Sequence, residues 1–136
     1  MIRGSCLCGN IEYEVEELPS KIFNCHCSIC RRSHGAAFAT QVFAKGETLR
    51  ILKGEEYLKE YFSGRGYRAF CSNCGSRLMN YAQDKSLYLS VALASVDSDF
   101  DGRPVAHVLV DSKADWVEPS PDIPAYEGVP RKILAD

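Results

Sequence analysis

The sequence predicts a mostly β fold with chiefly antiparallel strands, and three observations carry that expectation. Ile11, Tyr13 and Val15 alternate with Glu12, Glu14 and Glu16, the period-two pattern of a half-buried strand. Turn residues punctuate the chain at short intervals, as in Ser63-Gly64-Arg65-Gly66. No segment sustains a long 3.6-residue period, so many short strands with tight connections are expected.

Taken in order, a strand at Ile11–Val15 is followed by another that brings Ile22 and Phe23 to Cys25. Arg31-Arg32-Ser33-His34 reads as a short helical turn ended by Gly35, after the central cysteine cluster. Further strands are expected at 36–43, 48–52 and 57–62, with 67–71 returning from the turn at Ser63 to Gly66. A second hairpin joins 76–81 to 86–92 across Ala82-Gln83-Asp84-Lys85, and 105–110 is the last β-rich run.

The chain has 136 residues, which predicts one domain over 1–136. Its tail, from about 118, is rich in proline (Pro119, Pro121, Pro124, Pro130). A formal net charge of −2 and the lack of a basic run argue against binding nucleic-acid phosphates. No stretch approaches the ~20 apolar residues of a membrane span, and Met1 to Gly4 begins no signal-peptide pattern. A cytoplasmic location, where thiols stay reduced, is therefore expected.

Seven cysteines are an odd number, so a disulfide framework would leave one unpaired. Clustering points to metal instead: Cys6-Leu7-Cys8-Gly9, Cys25-His26-Cys27-Ser28-Ile29-Cys30 and Cys71-Ser72-Asn73-Cys74-Gly75. Zinc takes four ligands in a tetrahedron, and closely spaced cysteines supply two sulfurs from one tight loop. The glycine after each outer pair suits a turn that needs φ > 0. Cys6, Cys8, Cys71 and Cys74 make a complete four-sulfur site. Cys25, Cys27 and Cys30 then hold a second zinc with three protein ligands, and an open fourth position is the mark of a reactive metal. Two alternatives stand beside this count. His34, four residues after Cys30, could close the second site, and the central cluster could instead pair with Cys71 and Cys74 as a ribbon. His26, between two ligands, is poorly placed to turn onto the same metal.

On these residues the sequence resembles the glutathione-dependent formaldehyde-activating enzymes and their relatives, among them centromere protein V. The matching segments are Gly4–Gly9, Cys25–Arg32, Gly35–Phe38 and Phe70–Ser76, and the resemblance runs from Gly4 to about Gly128. It implies a tent of mostly antiparallel sheets around two Zn²⁺ ions per chain. It implies structural zinc on the outer two pairs and catalytic zinc on Cys25, Cys27 and Cys30. The activity implied is that of a carbon–sulfur lyase joining glutathione to formaldehyde, or the reverse, so the expected partners are a small thiol and a small carbonyl compound.

Arg31 is a candidate for holding a substrate carboxylate, which guanidinium groups bind well, whereas Arg32 reads as solvated. His107, on an apolar strand, reads as a hydrogen-bonded structural histidine, and Phe38, Phe70 and Trp116 as core aromatics. Two other functions remain in play: a binding module whose two zincs only hold the fold, and a redox or metal sensor using the central thiolates.

Overall fold

The computed structural model describes residues 1–131, so the last residues of the expected 1–136 domain lie outside the described ones. The chain falls into two compact units, Met1–Leu18 with Val42–Asp101, and Pro19–Gln41 with the chain from Gly102 onward. The mostly β, mostly antiparallel expectation holds, with one short α-helix among the described residues.

The first unit contains β1 (Ile2–Ser5), the start of β2 (Glu12–Cys25), most of β3 (Ala39–Lys53), β4 (Leu58–Phe62), β5 (Tyr67–Cys71), β6 (Arg77–Tyr81) and β7 (Leu89–Ala92). They line up in the order β1-β2-β3-β7-β6-β5-β4. β1 lies antiparallel on β2 with Ile2 opposite Val15 and Gly4 opposite Tyr13. The hairpin of β6 and β7 sets Met79 opposite Val91. That register puts Tyr13, Val15, Leu78, Met79, Leu89 and Val91 in the core at 2% exposure or less. Each such side chain contributes about 1.5–3 kcal/mol by leaving water.

In the second unit, the end of β2 takes a parallel partner, β8 (Ala106–Val108), with Asn24 opposite His107 and Cys25 opposite Val108. α1 (Ser28–His34) follows. It starts at Cys27, whose sulfur accepts the Cys30 N–H, and stops at Gly35 in the left-handed region, φ 59°. Only glycine enters that region without a Cβ penalty, so the helix ends where the sequence suggested.

Strand lengths differ from the local pattern for identifiable reasons. The expected strands at 11–15 and 22–23 are one strand, β2, which tolerates Pro19 because that residue is exposed. Those at 36–43 and 48–52 are likewise one, β3. Gly46 within it is no turn: a Cβ there would run into the Lys85 carbonyl, so the glycine permits close approach of two backbones. β1 has only four residues, IRGS, too few to carry a period of their own in the sequence.

Tyr13 is fully buried, and its hydroxyl meets Ser95 Oγ at 2.6 Å. Gly4 faces it across the strand pair, and any Cβ there would collide with the Tyr13 hydroxyl and the Ser95 carbonyl. Burial pushes the phenol up to about 12 from its ordinary 10, since desolvation disfavours the phenolate. A raised folded-state value means that the stabilisation is fully present below pH ~10 and is lost as pH climbs toward 12. Two units amount to roughly 2–3 kcal/mol. Denaturant unfolding between pH 8 and 12 should therefore show a steeper alkaline loss in the native protein than in Tyr13→Phe. Parallel pH curves for the two would remove Tyr13 from the account.

Candidate metal centres

Both cysteine groups assemble as sulfur clusters. The sulfurs of Cys6, Cys8, Cys71 and Cys74 all lie within 4.8 Å of one another, and so do those of Cys25, Cys27 and Cys30. The outer pairs therefore meet each other, not the central cluster, and the ribbon alternative is not what the chain adopts. Neither His26 nor His34 joins either group.

The four-sulfur group is built from two tight loops of the first unit. After Cys6 the chain turns so that Gly9 N–H donates to the Cys6 carbonyl at 3.1 Å, and after Cys71 the Gly75 N–H donates to the Cys71 carbonyl at 2.7 Å. Gly9 (φ 78°) and Gly75 (φ 80°) both occupy the left-handed region that these loops require. Cys6 Sγ lies 3.6 Å from Cys8 Sγ, and Cys8 Sγ lies 3.8 Å from Cys71 Sγ. Four sulfurs placed ~2.3 Å from a tetrahedral metal sit roughly 3.8 Å apart. The spacing fits a metal of that kind.

Main-chain and side-chain donors surround these sulfurs. Ile11 N–H reaches Cys6 Sγ at 3.3 Å, and Ser76 Oγ lies 3.2 Å from Cys74 Sγ. The Ser76 hydrogen bonds bring the Cys74 thiol down to about 5, and the side chain of Asn73 lowers that of Cys8. Burial pushes Cys71 up to about 11. Binding a cation would require these sulfurs as thiolates, so metal affinity at this group falls as pH falls.

The three-sulfur group is positioned by the second unit. β2 delivers Cys25, and α1 carries Cys30, which is buried. The Cys30 N–H lies 3.3 Å from Cys27 Sγ, and the Gln41 side-chain amide donates to Cys30 Sγ at 3.7 Å. Hydrogen bonds with the Cys25 and Cys30 thiols drive Cys27 strongly down, while contacts with Cys27 and Cys30, and then burial, drive Cys25 strongly up. Three cysteine sulfurs so close together are a donor set suited to a soft divalent cation.

Arg31 and the histidines have definite places beside this group. Arg31 Nε is buried without a hydrogen-bond partner. His26 is fully buried, its ring 4.9 Å from that of Phe38 and its Nε2 3.2 Å from His107 Nδ1. Burial first, then the positive fields of His107, Lys113 and Arg31, lower its basicity. His107 is also buried, with Nε2 3.1 Å from the Ser120 carbonyl, in keeping with its structural reading. Trp116, in contrast, is 76% exposed and is not a core residue. The His26–His107 contact was invisible in the sequence, since 81 residues separate them; a histidine flanked by two metal-type cysteines was the only available signal.

Among known proteins, the family model of the glutathione-dependent formaldehyde-activating enzymes matches residues 1–112. A Halomonas elongata protein, named provisionally as such an enzyme, is 31% identical over 127 residues, which cover 87% of this chain and 80% of the relative. A crystal structure of a Rhodobacter sphaeroides protein superposes with a TM-score of 0.61 at 26% identity, covering 91% of this chain and 99% of the other. With the family model spanning both cysteine groups, the chain belongs to the glutathione-dependent formaldehyde-activating enzyme family.

Proposed function

We propose that the protein is a zinc-dependent carbon–sulfur lyase acting on a thiol, with glutathione the first candidate, and a small aldehyde such as formaldehyde. In the direction of addition, the S–C bond forms, the carbonyl π bond breaks and the thiol proton passes to the oxygen. The observation that carries this reading is the count of donors: four sulfurs in one group, three in the other, and no histidine joining either. On it we assign a structural zinc to Cys6, Cys8, Cys71 and Cys74 and a catalytic zinc to Cys25, Cys27 and Cys30, two per chain. A reducing, cytoplasmic setting suits seven free thiols, and no helix among the described residues is long and apolar enough to cross a membrane.

A zinc ion held by Cys25, Cys27 and Cys30 would supply a place where an incoming thiol would give up its proton. The three cysteines make that position selective, because a sulfur-rich set favours another sulfur over oxygen. Ionisation alone is a modest aid. A thiol of pKa ~8.5 is roughly 3% ionised at pH 7, and the lower basicity of a bound thiolate takes back several-fold of the gain. Holding thiol and aldehyde together contributes far more, with effective molarities of ~10⁵ M or above. Arg31, next to Cys30, is our candidate for gripping a carboxylate of the thiol through its terminal nitrogens.

The two clusters should respond differently to substitution. Cys71→Ser should remove much of the folding stability, since a structural zinc contributes on the order of 10 kcal/mol in small domains. Cys27→Ser should remain folded and lose or loosen one zinc of two. Metal analysis with thermal melts reads both, and equal destabilisation would make both metals structural.

A small thiol should enter the shell of the central zinc, and an alcohol of the same shape should not. X-ray absorption at the zinc edge should report an added sulfur when glutathione is supplied. A spectrum that ignores every thiol offered would replace the enzyme with a binding module.

A further inference from the structure

Past residue 112, where the family match ends, the chain returns to β8. That strand has only three residues and pairs with the end of β2 at Phe23, Asn24 and Cys25. Its other edge is taken by the proline-rich tail, which runs parallel to it with Ala125 opposite His107. The His107 N–H donates to the Pro124 carbonyl at 2.8 Å, and the Tyr126 N–H donates to the His107 carbonyl at 2.9 Å. The N–H groups of Leu109 and Val110 donate to the Gly128 and Tyr126 carbonyls, both at 3.1 Å. His107 Nε2 also meets the Ser120 carbonyl, at 3.1 Å. A three-residue strand left at a sheet edge opens easily, and the tail makes β8 an inner strand.

The same tail holds a strained turn. Among the described residues Leu109 alone has a positive φ without being glycine, at 57°. Its Cβ crowds the next carbonyl in that conformation, and leucine has no polar side chain to favour it. The N–H groups on both sides of its Cα, those of Leu109 and Val110, end on tail carbonyls. One peptide earlier, the Val108 carbonyl accepts the His26 N–H at 3.1 Å, and Val108 lies opposite Cys25. Tail, β8 and the Cys25–His26 main chain are successive members of one hydrogen-bonded ladder.

Cys25 belongs to this ladder, whereas Cys27 caps α1 and Cys30 lies within it. The three sulfurs stay together only while the end of β2 keeps its place beside α1. We propose that residues 120–128 are a positioning strap for the three-sulfur group: by pairing with the open edge of β8 and holding the Leu109 turn, they fix the Cys25 main chain and so set how tightly that group holds a metal. The inference rests on the metal assigned above to Cys25, Cys27 and Cys30, and it gives the chain beyond the family match a definite task. The four-sulfur group, built from segments of the other unit, is the internal reference.

Cadmium-113 NMR of the full chain loaded with cadmium tests this, because each metal gives its own signal. Tyr126→Pro deletes the N–H that bonds the His107 carbonyl, and Tyr126→Ala, which keeps that N–H and loses the ring, is the control. In Tyr126→Pro the His107 and Leu109 amides should exchange faster with solvent. The three-sulfur signal should shift, and a chelator should strip that metal about five- to tenfold faster, the effect of one hydrogen bond. The four-sulfur signal and its release rate should not change, and Tyr126→Ala should behave as the parent chain. If the amides are released and the three-sulfur metal is unaffected, the inference falls and the metal assignment stands. Equal loosening of both metals, or an equal effect of Tyr126→Ala, also overturns it. If cadmium enters the four-sulfur group alone, the metal assignment falls and the inference with it. Should Tyr126→Pro not fold, the unaltered chain in dilute denaturant decides. There the His107 and Leu109 amides should lose protection together with the three-sulfur signal, before the four-sulfur signal changes. Loss of that metal while these amides stay protected would overturn the strap.

Discussion

The constraint on which the rest depends is the crowding of sulfur. Seven thiols gathered into two groups no wider than 4.8 Å cannot all ionise beside one another without a cation, because like charges so close repel strongly. Hydrogen bonds among the crowded sulfurs push Cys25 up and Cys27 down, while burial raises Cys71 and the Ser76 hydrogen bonds lower Cys74. Local backbone choices answer to the same demand. Gly9 and Gly75 take left-handed conformations, and Cys27 caps α1 with its sulfur where a serine or aspartate oxygen would be usual.

Each unit contains one sulfur group, and the two groups are built differently. The four-sulfur group joins loops 65 residues apart, Cys6 to Cys71. A cross-link there closes a long loop of the unfolded chain, so its stabilising effect is large in the entropy account. The three-sulfur group spans only Cys25 to Cys30 and closes almost nothing. Its geometry comes from β2 and α1 instead. A cross-link across so short a loop would constrain the unfolded chain little.

How much was legible follows from the range of each signal. The cysteine spacings are local and legible, and the structure gathers the sulfurs into groups of four and three by bringing the outer pairs together. Gly35 is a local stop signal and ended α1 as expected. The continuity of β2 past Pro19 and of β3 past Gly46 was not legible, because ladder pairing overrides a local breaker. Nor was the parallel β2–β8 pairing, which links residues more than eighty positions apart and leaves no period in the chain.

That unreadable pairing also gathers buried polar side chains at the end of β2. Setting Asn24 opposite His107 brings three polar side chains, Asn24, His26 and His107, into one buried place. Burying them is costly unless each finds a partner, and all but one of the ring nitrogens of His26 and His107 do. A fold that wanted only a metal clamp could have filled this space with leucine or valine at lower cost, as His26 lies against Phe38 already. Two histidines ordered by a backbone carbonyl are an expensive arrangement, and it still leaves one ring nitrogen of His26 without a hydrogen-bond partner.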